Sequence, residues 1–238
     1  MQVAPDPYLS GEAQPSLEPR DDAFAAALRG FGPIGLLAIL VVLAAALLPV
    51  PLSPVLVLLW TARSRTPWSA IGYVRPRSWI GTILVGVVVG VALKLLIKAV
   101  VMPRLGAAPL NQAYQFLVGD QAAMLGTLFM VIVVGGWGEE TLYRGYLFER
   151  LGKLLGKGPL AKAVIVVLTS TLFGLLHLHD QGWAGAEQAI LTGLTFGTIF
   201  AVTGRIWLPM FAHAAYDVTA VLIIYAGLER QVAHWFFR

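Results

Sequence analysis

Six apolar runs follow one another along this chain, at about Pro33–Trp60, Trp79–Met102, Gln121–Gly138, Pro159–Leu176, Ala184–Thr203 and Ile206–Gly227. No other feature limits the fold so tightly. About 20 apolar residues are what a helix needs to cross a bilayer core. In lipid every backbone amide must be satisfied from within the protein, which leaves only helices and closed barrels. Sustained period-two alternation is absent, so helices are expected. Composition agrees: 58% of the 238 residues are hydrophobic and 13% charged, against roughly 45–50% and 25% in soluble domains. The reading is an all-α, polytopic transmembrane helix bundle.

The first run is longer than one pass requires and is interrupted by Pro49, Pro51 and Pro54. It is either one kinked helix or a tight pair of short passes. Residues 1–32, rich in Pro, Asp, Glu and Ala, are read as a polar, disordered tail rather than a signal peptide. Residues 33–78 are read as an N-terminal transmembrane segment with a basic loop, 79–228 as the core and 229–238 as a short tail. The net charge of +4 comes with no basic stripe interleaved with aromatics, so no nucleic-acid partner is expected. Basic residues cluster instead in two segments: Arg63, Arg65, Arg75 and Arg77, then Arg144, Arg150, Lys153, Lys157 and Lys162. By the positive-inside rule both face the cytoplasm, and the site is expected towards that side. Lys94 and Lys98, one turn apart late in the second run, are expected to snorkel or border water. Thr141–Gly156 reads as an amphipathic helix lying along the interface.

Five ionisable groups stand in or beside these runs: Glu139, Glu140, His177, His213 and Asp217. An acid at a span centre costs roughly 2.5–3.5 kcal/mol on insertion scales. Such residues are usually kept for use together. Glu140 has Arg144 four residues on, the spacing of a helical ion pair. Glu139 has Tyr143 there and no cation, which suits it to general acid–base work in a partly dry site. His213 has Asp217 one turn later, and a carboxylate so placed holds an imidazole in one tautomer or stabilises its cation. His177 closes the run after Phe173, while His179 and His234 read as interfacial. There is no Gly-x-Ser-x-Gly and no His-Glu-x-x-His. The absence of cysteine excludes disulfides and thiolate metal sites.

In chain order these residues form Glu-Glu-x-x-x-Arg at 139–144, Phe-x-x-x-His at 173–177 and His-x-x-x-Asp at 213–217. The set resembles the CAAX-protease and bacteriocin-processing (CPBP or ABI) family of intramembrane endopeptidases, over roughly residues 75–225. The resemblance implies a helical bundle with a polar active-site cavity opening to the cytoplasm. It also implies hydrolysis of membrane-bound or lipidated peptide substrates; the compact chain with short loops is bacterial in style, so a bacterial cytoplasmic membrane is expected. Carried over by motif, Glu139 and His177 would hold and deprotonate the attacking water, and His213 with the residue at 217 would stabilise the oxyanion. Glu140 and Arg144 would be the supporting pair. The prenyl-protein proteases of eukaryotes carry asparagine where this chain has Asp217. An ionised aspartate cannot donate to an oxyanion, so Asp217 is expected to orient His213 and keep it cationic, with His213 the donor. No cofactor is favoured. A zinc ion on Glu139, His177 and His213 is the alternative. Two other functions stay open: a non-catalytic immunity or scaffolding protein of the same fold, and an ion-coupled transporter, for which inverted repeats would be expected and none is evident.

Overall fold

The computed structural model describes residues 22–48 and 50–237. Pro49 and most of the expected tail lie outside the described residues. Every regular element described is helical. Inside the segment read as a tail, Ala23–Arg29 forms a short helix, α1, whose first turn is capped by the Asp22 side chain on the Phe24 amide. Pro33–Ala45 (α2) and Leu52–Arg63 (α3) then form a hairpin. The end of α3 comes back beside the start of α2: Trp60 Nε1 donates to Leu28 O at 3.1 Å, and Arg29 Nη1 to Ser64 O at 2.5 Å. The first apolar run is therefore a pair of short helices, broken at the proline cluster.

Four helices among the described residues are long and apolar enough to span a membrane: α4 (Trp79–Arg104), α5 (Gln121–Leu155), α6 (Pro159–Thr203) and α7 (Trp207–Tyr225). The bent pair of α1 and α2 would make a fifth. Packing explains the pattern on α4. Gly86 and Gly90 are buried on one face, while Ile80, Leu84 and Val88, one turn apart on the other, are 60–73% exposed. Such an outer stripe would be an aggregation hazard in water and is normal in lipid. The glycine face meets α7 so closely that a Cβ on Gly86 would come within 2.6 Å of Phe211 Cβ. Small residues at a helix interface let backbones approach where the hydrophobic effect between helices is weak.

The two spans expected at 159–176 and 184–203 are the arms of α6, which turns back at Gly182. There φ is 65° and ψ −169°, a conformation open in practice only to glycine. The arms run antiparallel. Lys162 Nζ donates to Ala201 O at 2.7 Å, Val166 faces Gly197, Ser170 faces Gly193 and Gly174 faces Ile190.

Helix α5 runs unbroken for 35 residues, about 52 Å at 1.5 Å per residue. It is wound with π-type hydrogen bonds over Val131–Glu139 and Thr141–Leu147, a winding associated with functional sites. Thr141–Leu147 is buried throughout. That stretch packs inside the bundle rather than along the interface, because it supplies the ridge against which α3 and α6 close. Only Phe148–Leu155 keeps the amphipathic character expected of the segment.

A last short helix, α8 (Glu229–Ala233), falls in the segment read as a tail. Its buried Glu229 accepts from Lys98 Nζ at 2.8 Å, Gln115 Nε2 at 2.6 Å and the Asn111 amide at 3.0 Å, tying the 105–117 loop to the end of α4.

The contact between α5 and α7 is tight at Gly136, where an added Cβ would meet Ala214 Cβ at 2.7 Å and its amide nitrogen at 3.0 Å. Gly136→Leu is expected to cost about 1–3 kcal/mol of stability, measured as a lowered unfolding temperature in detergent. Gly126→Leu, on the same helix but facing open space, should leave that temperature unchanged.

Candidate active site

Three of the candidate side chains, Glu139, Glu140 and Asp217, meet around the imidazole of His213. Glu140 is fully buried, and its Oε1 accepts from Arg144 Nη1 at 2.7 Å and from His213 Nδ1 at 2.7 Å. Arg144 is itself anchored. Its Nη2 donates to Gly193 O in the second arm of α6 at 3.2 Å, and its guanidinium lies over the rings of Phe173 and Phe196. One carboxylate thus joins α5, α6 and α7. The ion pair between Glu140 and Arg144 is where its spacing put it; the bond to His213 was invisible to spacing.

A carboxylate only accepts, so His213 Nδ1 carries the proton and Nε2 turns to the cavity. There it lies 3.3 Å from Asp217 Oδ2 and 3.6 Å from Glu139 Oε2. The second distance is too long for a direct hydrogen bond. The sequence reading gave the orienting role to Asp217, one turn away on α7. In the structure Glu140, 73 residues distant in sequence, holds the ring by its inner nitrogen, while Asp217 sits at the outer one. A second donation from Nε2 would require the imidazolium, because Nδ1 is already engaged.

His177 reaches the same cavity from the first arm of α6. Its Nδ1 is 2.8 Å from Phe173 O, and since a carbonyl can only accept, Nδ1 is the donor and Nε2 is left free. Phe173 also supports the ring edgewise, with centroids 4.5 Å apart. By contrast His179 is exposed beside Asp180, and His234 is exposed. Glu139 is about a quarter exposed, and it faces His177 and His213 across the cavity. The two adjacent glutamates therefore part as their helical angles require: one into the cavity, one into the protein.

The cavity measures about 240 Å³, with Glu139, His177, His213 and Asp217 among its lining and Glu140 and Arg144 behind the wall. Three further polar residues share it, of which only Lys94, expected to snorkel or border water, is singled out by the sequence. Lys94 and Gln188 stand on one wall; Tyr114, from the 105–117 loop, stands near the opening, its hydroxyl accepting from Gln181 Nε2 at 3.2 Å. Burial, together with the charges of Asp217 and Glu139, pushes the Tyr114 hydroxyl up to about 12, so it remains an O–H donor at neutral pH. A tyrosine in a loop gives no periodic signal, which is why it escaped notice. The lysine looked like an ordinary snorkelling residue.

The cavity runs towards the end of the bundle formed by the 105–113 loop and the Gly182 turn, where an adjoining space of about 570 Å³ continues it. Its other end is closed. Tyr73 accepts from Trp137 Nε1 at 3.1 Å and donates to Thr141 Oγ1 at 2.7 Å, and its ring packs edgewise on Trp207. That closed end is also the basic one: the Gly72 loop joins Ile206 there, and α5 delivers Lys153 and Lys157 to it. The sequence reading had aimed the site at the basic face. From Glu139, midway along α5, the lining instead extends to the 105–113 loop and the Gly182 turn, away from those basic residues.

For a metal, Glu139, His177 and His213 are poorly gathered. Among the described residues no group of three or more histidine, aspartate or glutamate side chains could hold an ion.

Residues 121–219 match the family model described as type II CAAX prenyl endopeptidase, Rce1-like. The match covers under half of the chain but contains every motif residue. No curated protein and no solved structure matches the chain.

Arg144→Met would leave the Glu140 carboxylate buried without its strongest partner. It is expected to cost about 3–5 kcal/mol, read as a large fall in unfolding temperature. Glu139→Gln, at the cavity surface, should stay within about 0.5 kcal/mol of wild type.

Proposed function

We propose that this protein is an intramembrane endopeptidase that hydrolyses peptide bonds of membrane-associated or lipidated substrates with a water activated by Glu139 and His177. The observation that carries this reading is the opposed pair of ring nitrogens on His213, one locked to buried Glu140 and the other turned to Glu139 in a cavity that His177 shares. The family match supports the reaction class.

In this reading a water lies between the Glu139 carboxylate and His177 Nε2. Glu139 takes one of its protons as the oxygen adds to the scissile carbonyl. The oxyanion receives a hydrogen bond from His213 Nε2–H, the ring being imidazolium with Asp217 and Glu140 balancing its charge. Tyr114 offers a further O–H. Glu139 then returns its proton to the leaving amine and the C–N bond breaks. Preorganised donors of this sort are usually the largest contribution to acyl-transfer rates, with one donor accounting for about 100- to 1000-fold.

The test is purified protein with a quenched membrane peptide. Glu139→Gln should lower kcat by at least about 100- to 10,000-fold while the unfolding temperature holds; full activity in that variant would end the proposal. The same assay run with a strong chelator should show no loss of rate. Inhibition that zinc reverses would replace the metal-free water with a metal-bound one.

We also propose that the basic end faces the cytoplasm, so the cavity mouth opens on the other face of the membrane. The chain contains no cysteine, and single cysteines introduced in intact cells will report directly. Cysteine at Asn111 should react with an impermeant maleimide and cysteine at Lys157 should not. The reverse pattern would place the mouth in the cytoplasm.

A further inference from the structure

Two lysines line the cavity one turn apart on α4, and they are treated very differently. Lys98 has a charged partner: it pairs with Glu229 at 2.8 Å and donates to Pro109 O at 2.6 Å. Lys94 has only a neutral acceptor, Gln188 Oε1 at 3.1 Å, and the face of the Tyr216 ring at 4.7 Å. Among the described residues no carboxylate comes within ion-pair distance of it; Asp217 and Glu229 act on it only through space. An ammonium kept at membrane depth without an acid partner is costly. An amide holds Lys94 on one side and an aromatic face on the other.

From this geometry we infer that Lys94 binds a carboxylate of the substrate. The inference rests on the peptidase reading and adds to it a recognition element across the cavity from Glu139. Lys94 is 15 residues from the start of α4 and Glu139 is 16 from the end of α5, so both stand at similar depth, about 22–24 Å from the basic end of the bundle at 1.5 Å per residue. Both residues line the one cavity of about 240 Å³, so the two side chains face a single narrow space at the same level. A peptide held with its scissile carbonyl at Glu139 and His213 can therefore place only a short stretch of chain before Lys94. The free carboxylate at a substrate's C-terminus fits that description, and so does an acidic side chain close after the cleaved bond. The neutral neighbours, Gln188 and Tyr216, leave Lys94 free to make a charge-assisted hydrogen bond that an amide-capped peptide cannot match.

The experiment uses the full chain in detergent with three quenched peptides of one sequence: a C-terminal acid, its amide, and the amide with an aspartate after the scissile bond. Wild type should favour one of the carboxylate forms over the plain amide by about 10- to 100-fold in kcat/KM, carried mainly by KM. Whichever form is favoured identifies the source of the carboxylate. In Lys94→Gln the ratio should fall to near one, and Lys94→Arg should restore part of it. Equal use of all three peptides by wild type overturns the inference, as does an undiminished ratio in Lys94→Gln. Binding of the same peptides to Glu139→Gln protein separates this claim from the hydrolytic one. A carboxylate preference there that disappears on adding Lys94→Gln supports the site even without turnover, and no preference refutes it.

Discussion

The Glu140 carboxylate, held between Arg144 and His213, is the interaction on which the rest of this structure depends. It is wholly buried, and each of its partners belongs to a different structural relationship. Arg144 is a neighbour on the same helix, and it reaches on to the backbone of α6. His213 arrives from α7. Removing water from such a group is expensive, and the Arg144 guanidinium with the His213 N–H, both on Oε1, offsets that cost. The same carboxylate fixes which nitrogen of His213 is presented to the cavity. Fold and chemistry are coupled through one oxygen atom.

Around that centre the bundle solves a membrane problem with small residues. Gly86, Gly90 and Gly136 bring α4 and α5 against α7 at near backbone contact, which places polar side chains from separate helices within reach of one another. Gly182 does something different, reversing α6 so that its two arms present Phe173 and His177 on one side and Gly193 and Phe196 on the other. The aromatic layer of Tyr73, Trp137 and Trp207 shuts the basic end, and the Lys98–Glu229 pair ties down the loop at the open end. A cavity closed on one side and open on the other follows from those two devices.

Much of this was legible in the chain. Apolar runs located the four long helices, and the Glu140–Arg144 pair followed from a four-residue spacing. The three motifs singled out the residues that meet in the cavity, and Glu139 was distinguished from Glu140 by what stands four positions on. Illegible were the partner of His213, the cavity roles of Tyr114 and Lys94, the burial of Thr141–Leu147 and the direction of the mouth. Each of these depends on which face of one helix meets which face of another. An i, i+4 rule sees Asp217 beside His213, yet it has no means of seeing Glu140 across an interhelical gap.

The amino-acid sequence by itself determined that this chain is a helical membrane protein and which ionisable groups it sets in apolar surroundings, because hydrocarbon thickness and helix periodicity act locally. The tertiary structure alone decided that Glu140 rather than Asp217 holds the inner nitrogen of His213, and that the cavity opens away from the basic end. Those outcomes arise from close packing at glycines far apart in the chain, where contact is a property of surfaces and not of spacing.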